Sequence, residues 1–380
     1  MSSADAHKGQ AGPIDHKERA PTSADLRDIA ALFLRLGTLA FGGPAAHIAL
    51  MQREAVIKRG WLSREDFLDL LGTVNLMPGP SSSQMAIFLG FRRAGLAGLL
   101  IAGLCFVIPA ASITLALAWV YQHYGTLPRA QGLLAGMRPV IVVIILDAVM
   151  KLGRTAFRSW WLAALGLLAL GALLAQVNPL IVMLASGAIA IAVQLVRTRA
   201  ATALSIFPVA LWPLFWVFLK LGAIVFGSGY VLLAFLRADL VDNLHWLNER
   251  QLLDAVAAGQ ITPGPVFTTA TFIGYLLAGV PGSIVATVAV FLPSFVLVAL
   301  SGPLLRKLRE SPVMGAFLDG VNVAAIALMV EVCYQLGRSA MTDWFSYVLA
   351  AVAVALVVWR RVNPMWPMAI GATAGLLRGS

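Results

Sequence analysis

The sequence predicts an all-α polytopic membrane protein built from two homologous halves in inverted topology, and three observations predict it. Hydrophobic residues make up 59% of the chain and charged residues 12%, against about 45–50% and about 25% in a soluble domain. The chain also repeats itself: Phe33-Leu34-Arg35-Leu36-Gly37 with Phe41-Gly42 returns as Phe218-Leu219-Lys220-Leu221-Gly222 with Phe226-Gly227, an offset of 185 residues. Finally, the basic residues of the two copies fall in complementary loops. Arg92-Arg93 faces Leu276-Leu277. The stretch 122–128, free of Lys and Arg although Arg129 follows, faces Arg306, Lys307 and Arg309. Lys151, Arg154 and Arg158 face only Arg338, and the uncharged 175–177 faces Arg360-Arg361. Lys and Arg collect in cytoplasmic loops, so this alternation turns one copy upside down relative to the other.

In chain order, residues 1–25 are polar and mixed in charge and read as a short disordered tail rather than a secretory leader. Residues 26–200 form the first repeat, 201–217 a connecting segment and 218–380 the second repeat. Apolar runs at 96–119, 140–150 with its flanks, 160–174, 179–196, 211–235, 282–300 and 345–359 approach or reach the roughly 20 residues a spanning helix needs. The total is about 10–12 helices, broken or re-entrant ones included. Segments 92–93, 151–158, 197–199, 306–309 and 360–361 are expected on the cytoplasmic side. Residues 28–50 either cross or return to their own side, because Gly42-Gly43-Pro44 interrupts them, and the side of the N-terminus stays open. The net charge of +10 is read as cytoplasmic-loop Arg and Lys, not as a nucleic-acid footprint. Cys105 and Cys333 stand alone in apolar runs and form no metal or redox motif.

The polar chemistry inside this apolar chain gathers at two breaks per copy. Asn75 leads into Pro78-Gly79-Pro80 and then Ser81, Ser82, Ser83 and Gln84; in the second copy Gln260 and Thr262 lead into Pro263-Gly264-Pro265 and then Thr268 and Thr269. Two prolines around a glycine cannot continue a helix. The chain restarts after them with first-turn N–H groups that lack intrahelical acceptors and carry a partial positive charge, which suits an oxyanion. Non-helical backbone at membrane depth is tolerated only where it is buried in protein or lines a cavity, so the two breaks are expected to converge on one substrate site near the midplane. The other break is Phe41-Gly42-Gly43-Pro44, matched by Phe226-Gly227-Ser228-Gly229. Glycines 42, 43 and 227 would let a ligand approach the backbone. Arg35 and Lys220 precede these breaks as equivalent cations that either face the substrate or snorkel to a headgroup. Asp147 and Glu331 are equivalent acids in apolar runs and are the candidates for proton coupling. Asp147 is four residues from Lys151, a spacing that suits a plain ion pair. Trp61 and Trp246, followed by the caps Ser63 and Asn248, read as interfacial anchors that open amphipathic helices.

Taken together, Phe41 to Pro44, Trp61-Leu62 with Glu65-Asp66-Phe67, the two Pro-Gly-Pro segments, Gly90, Gly95, Gly98 and Pro109, and their counterparts Gly274, Gly279, Gly282 and Pro293 resemble the chromate ion transporter (CHR) family in its long two-domain form. The resemblance covers about residues 26–378. It implies a multi-pass protein of the bacterial inner membrane that exports chromate and confers resistance, with no cofactor and no metal. The implied partners are chromate, with sulfate as a close mimic, and the lipid bilayer; a homodimer is left open. A carrier for sulfate or another oxyanion, or an anion channel, is the competing reading. An intramembrane enzyme is disfavoured, since no His-Glu-x-x-His or Gly-x-Ser-x-Gly motif occurs.

Overall fold

A computed structural model describes residues 22–41, 43–75, 77–156, 159–175, 177, 179–195, 211–225, 231–309 and 312–378. All regular structure in it is helical. The first half contributes α1 (Ser23–Leu39), α2 (Gly43–Met51), α3 (Arg64–Asn75), α4 (Ser81–Tyr124), α5 (Pro128–Ala156), α6 (Trp160–Leu174) and α7 (Pro179–Leu195). The second contributes α8 (Leu211–Ile224), α9 (Val231–Leu236), α10 (Glu249–Ile261), α11 (Thr269–Arg309), α12 (Pro312–Ala340), α13 (Trp344–Val354) and α14 (Met365–Arg378). Among the described residues these make fourteen α-helical segments, the re-entrant elements being divided into short pieces. Residues 211–217, expected as connector, are the first half of α8. Most of the tail 1–25, the connector residues 201–210, the segment 197–199 expected on the cytoplasmic side, Gly42, and Gly227 with its neighbours Ser228 and Gly229 lie outside the described residues.

The local signals act as read. Thr22 and Asp25 close a capping box at the start of α1, and Asn248 and Gln251 do the same for α10. Ser63 accepts the Asp66 N–H at 3.0 Å ahead of α3. The chain leaves α1 at Leu39 and re-enters helix at Gly43, then returns to where it began: Arg59, beyond α2, pairs with Asp28 at 3.2 Å. The segment 28–50 is therefore a re-entrant hairpin, not a crossing.

Long helices conceal a second hairpin in each half. Ala94 and Gly95 in α4, and Ala278 and Gly279 in α11, leave helical geometry, with φ of 57° and 61° at the two glycines. The chain doubles back at these points. Gly90 and Gly98 then meet so closely that a side chain on either would overlap the other's carbonyl, and Gly274 and Gly282 repeat the contact. Glycine is required here for both the left-handed turn and the close approach. Each half thus has two re-entrant hairpins, followed by a long limb (96–124 or 280–309) and further helices. Leu96, Leu100, Leu104 and Ile108 on the first limb, and Val280, Ile284, Val288, Leu292 and Val296 on the second, form matching exposed apolar stripes at helical spacing.

The open ends of the hairpins lie at opposite ends of the fold. Those of the first half gather Asp25, Asp28, Arg59, Asp66, Arg92 and Arg93 through ion pairs. The limb 96–124 starts there and ends at a cavity lined by Asn248, Arg250 and Leu276, which belong to the open ends of the second half. This is the inverted arrangement that the charge pattern predicts. Small residues let helices of the two halves pack closely: Gly136 of α5 against Gly371 of α14, and Gly320 of α12 against Ser186 of α7.

Candidate functional site

The tips of the re-entrant hairpins meet at the centre, where each Pro-Gly-Pro turn belongs as much to the opposite half as to its own. Gly79 donates its N–H to the Val225 carbonyl at 2.6 Å, and Gly264 donates its N–H to the Ala40 carbonyl at 2.9 Å. Ala40 and Val225 are equivalent positions, just past the ends of α1 and α8. The two halves therefore exchange one backbone hydrogen bond each, in a reciprocal joint. Both glycines have positive φ, 116° and 92°. A side chain on Gly79 would lie 2.8 Å from Ser294 Oγ and from Gln84 Nε2; on Gly264 it would lie 2.6 Å from Ala110 Cβ. Only glycine fits at either turn.

After the first turn, Pro80 stands at the N-cap of α4 with an extended backbone. The first intrahelical bond is Gln84 N–H to Pro80 O at 2.9 Å. The N–H groups of Ser81, Ser82 and Ser83 precede it and have no acceptor among the described residues. Ser82, Ser83 and Gln84 are fully buried. Gln84 donates its amide N–H to the Pro78 carbonyl. Ser83 Oγ, Gln84 Oε1 and, from the second half, Ser294 Oγ are buried without hydrogen-bond partners among the described residues. Buried polar groups are paired in the great majority of cases, so several unpaired ones at one joint beside a positive helix end mark a place equipped for a polar ligand.

The second turn is built differently. A 3₁₀ turn (Val266–Thr268) separates it from α11. Thr262, Thr268 and Thr269 donate their hydroxyl hydrogens to the carbonyls of Ala258 (2.6 Å), Pro265 (2.9 Å) and Val266 (2.8 Å). Gln260 Nε2 is buried without a partner among the described residues. The side chain of Asn75 lies outside the described residues. His47, on α2, places Nε2 3.0 Å from the Ala40 carbonyl that also accepts the Gly264 N–H. That carbonyl can only accept, so Nε2 carries the proton.

The two cations before the breaks are both in ion pairs at equivalent positions: Arg35 with Glu54 at 2.7 Å, and Lys220 with Asp239 at 2.6 Å. Glu54 also meets Lys58 at 2.7 Å and Arg59. Hydrogen bonds from Lys58 and Arg59, with Arg35 adding its charge, hold the Glu54 carboxyl from its ordinary 4.5 down to about 2. Asp147 pairs with Lys151 at 2.5 Å along α5. Glu331 lines a cavity of about 120 Å³ with Arg237 and Asp242. The structure thus brings the Pro-Gly-Pro turns together, engages Arg35, Lys220 and Asp147 in ion pairs, and places Glu331 in a cavity whose lining includes neither turn.

Sequence reasoning passed over one charged group. Arg138 of α5 forks onto Asp254 of α10 with both contacts at 3.0 Å, and Tyr121 donates its hydroxyl to the same carboxylate at 3.0 Å. Arg138 stands in an apolar run directly before Pro139. A cation within a transmembrane segment was the available signal.

Against known proteins, the model of the family described as "Chromate transporter" matches this chain twice, at residues 27–191 and 212–376. A chromate transport protein of Cupriavidus metallidurans is 34% identical over 379 residues, covering 94% of both chains. A probable chromate transport protein of Synechococcus elongatus is 33% identical, covering 87% of this chain and 89% of the relative. A chromate transport protein of Pseudomonas aeruginosa is 31% identical, covering 82% of this chain and 81% of the relative. No solved structure matches.

Proposed function

The chain belongs to the chromate transporter family, in the form that carries the domain twice, and on that premise we propose that it moves chromate out of the cell across the bacterial inner membrane, by alternating access around the two exchanged turns. It is a transporter, not an enzyme. The observation that carries the reading is the reciprocal joint, in which both turns end on the other half and the first brings unspent donors to the contact.

A tetrahedral dianion in hydrocarbon is costly unless its hydration is replaced by aimed donors. At the first turn these are the N–H groups of Ser81, Ser82 and Ser83 and the hydroxyls of Ser83 and Ser294, beside the positive end of α4. Gln84, fixed by Pro78, holds the turn open as a cradle. Because each turn is bonded to the opposite half, rocking one half against the other changes which side reaches the cradle without dismantling it. An inside-negative potential favours outward movement by roughly 2.3 kcal/mol per charge per 100 mV, so a dianion needs little further driving force. Sulfate has nearly the same geometry and charge and should compete.

Chromate uptake by everted vesicles, with and without a sulfate excess, tests the reading, together with intracellular chromium in cells that carry or lack the chain. Saturable uptake that sulfate inhibits is expected. Equal chromium in both kinds of cell overturns chromate as the cargo.

A further inference from the structure

Between the halves, at the open ends of the second half's hairpins, lies a cavity of about 760 Å³ lined by polar and apolar groups of α5, α10, α13 and α14, the ends of α4 and α12 and Leu276 of α11. Its charged lining is Arg138, Arg250 and Arg378 against Asp254 and Asp343. Arg378 pairs with Asp343, and Arg138 is forked on Asp254. Arg250 has no carboxylate partner among the described residues. The cavity lining therefore carries one positive charge in excess, on the exposed Arg250.

Its innermost charged group is the Arg138–Asp254 pair. The Asp254 side chain is 2% exposed and that of Arg138 20%. An arginine holding a carboxylate through two parallel contacts presents the geometry that binds a tetrahedral oxyanion. The carboxylate would not be stranded if the guanidinium let go, since Tyr121 keeps its own hydrogen bond to it. Next to Arg138, Pro139 supplies no N–H to the carbonyl of Ala135, which also lines the cavity, so α5 is loosened where the arginine would have to move. The duplication keeps the carboxylate, as Asp69 and Asp254, but puts Asn322 where a second arginine would stand. The fork, which joins the two halves, therefore has no arginine counterpart and serves one face.

We propose that Arg138 is an oxyanion-binding residue of this cavity, separate from the central turns, and that Asp254 is its built-in competitor. An entering dianion takes the fork that Asp254 now holds. When the anion departs, Asp254 recaptures the arginine, which keeps the site from holding its ligand too tightly to release it. The inference rests on the reading that the chain carries an oxyanion.

The test is calorimetric binding of chromate, with sulfate as a second probe, to the purified full chain in lipid nanodiscs. Asp254→Asn removes the competitor and should tighten one binding step about tenfold relative to wild type, while Arg138→Gln should weaken that step at least about tenfold, the step at the central turns staying unchanged in both. The double variant Arg138→Gln/Asp254→Asn keeps a neutral, hydrogen-bonding pair. It should melt near wild type yet bind as weakly as Arg138→Gln alone. The proposal is overturned if Asp254→Asn binds neither anion more tightly than wild type, or if the double variant restores wild-type binding, since the pair would then only hold α5 to α10. Chromium efflux from cells judges the parent reading separately. Efflux by wild type with binding indifferent to both residues removes this site and leaves transport standing. No efflux, with sulfate bound more tightly by Asp254→Asn, keeps the site and removes chromate as cargo.

Discussion

The two Pro-Gly-Pro turns are alike in how they lock and unlike in what they offer. Each donates a glycine N–H to the end of the opposite half's first helix. Beyond that point the second turn spends its hydroxyls on its own carbonyls through Thr262, Thr268 and Thr269, whereas the first leaves Ser83, Gln84 and the facing Ser294 with groups in hand. His47 adds a second donor to the Ala40 carbonyl; its counterpart in the repeat is Leu232, an apolar residue. On the proposed reading the first turn holds the ligand and the second, apart from the unpaired Gln260 Nε2, braces the contact.

The largest effect should come from breaking what the turns share. Replacing Pro-Gly-Pro by Ala-Ala-Ala at 78–80 or at 263–265 lets the helix continue, forces a side chain into a space of less than 3 Å and removes the exchanged bond. Chromate resistance should be lost in both variants, with each still found in the membrane fraction. Wild-type resistance in either would mean that the joint is not part of the carrier's working core.

What the turns do not share should separate next. Ser83→Ala removes a hydroxyl with no partner among the described residues, so it should slow chromate uptake into everted vesicles about tenfold and leave thermal stability unchanged. Thr269→Val breaks a buried hydrogen bond, so it should cost about 1 kcal/mol of stability and change uptake less than about threefold. The reverse pattern would exchange the roles assigned to the two turns.

The ion pairs behind the turns sharpen the comparison further. Glu54 is shared by Arg35, Lys58 and Arg59, while Lys220 is the one cation paired with Asp239 among the described residues. Lys220→Gln strands a largely buried carboxylate and should cost about 1–2 kcal/mol. Arg35→Gln leaves Glu54 two cations and should cost less than about 0.5 kcal/mol. Chemical denaturation of the two variants compares them directly. Equal losses would show that the first cluster works as a single pair.

Much of this fold was legible because membrane insertion writes itself into the sequence. Apolar runs showed the membrane class, the motif that returns after 185 residues showed the duplication, alternating basic loops showed its inversion, and proline and glycine showed the breaks. The reach of each turn into the opposite half was not legible. A backbone N–H meeting a carbonyl of the other repeat leaves no residue type behind, and Ala40 and Val225 look like filler. Charge partners were hidden for a related reason. Arg35 and Glu54 are nineteen residues apart, and only the return of the α1–α2 hairpin makes them neighbours, so the cations read as unpaired groups that either face the substrate or snorkel to a headgroup. Arg138 and Asp254 come from different halves, and no spacing rule within one half could join them.

The smallest effect concerns the pH at which the Glu54 cluster lets go. In the folded chain the Glu54 carboxyl sits near 2 instead of its ordinary 4.5. A carboxyl lowered in this way binds its proton more readily when the chain is unfolded. Its contribution is therefore complete above about pH 4.5 and disappears as the pH falls from there toward 2. The stability gap between wild type and Glu54→Gln should then stay level from pH 7 to 5 and narrow only below about 4.5, measured by thermal unfolding in one detergent. A gap that begins to close near neutral pH would show that the three cations do not hold Glu54 together, and the contrast between its crowded cluster and the single Lys220–Asp239 pair would lose its physical basis.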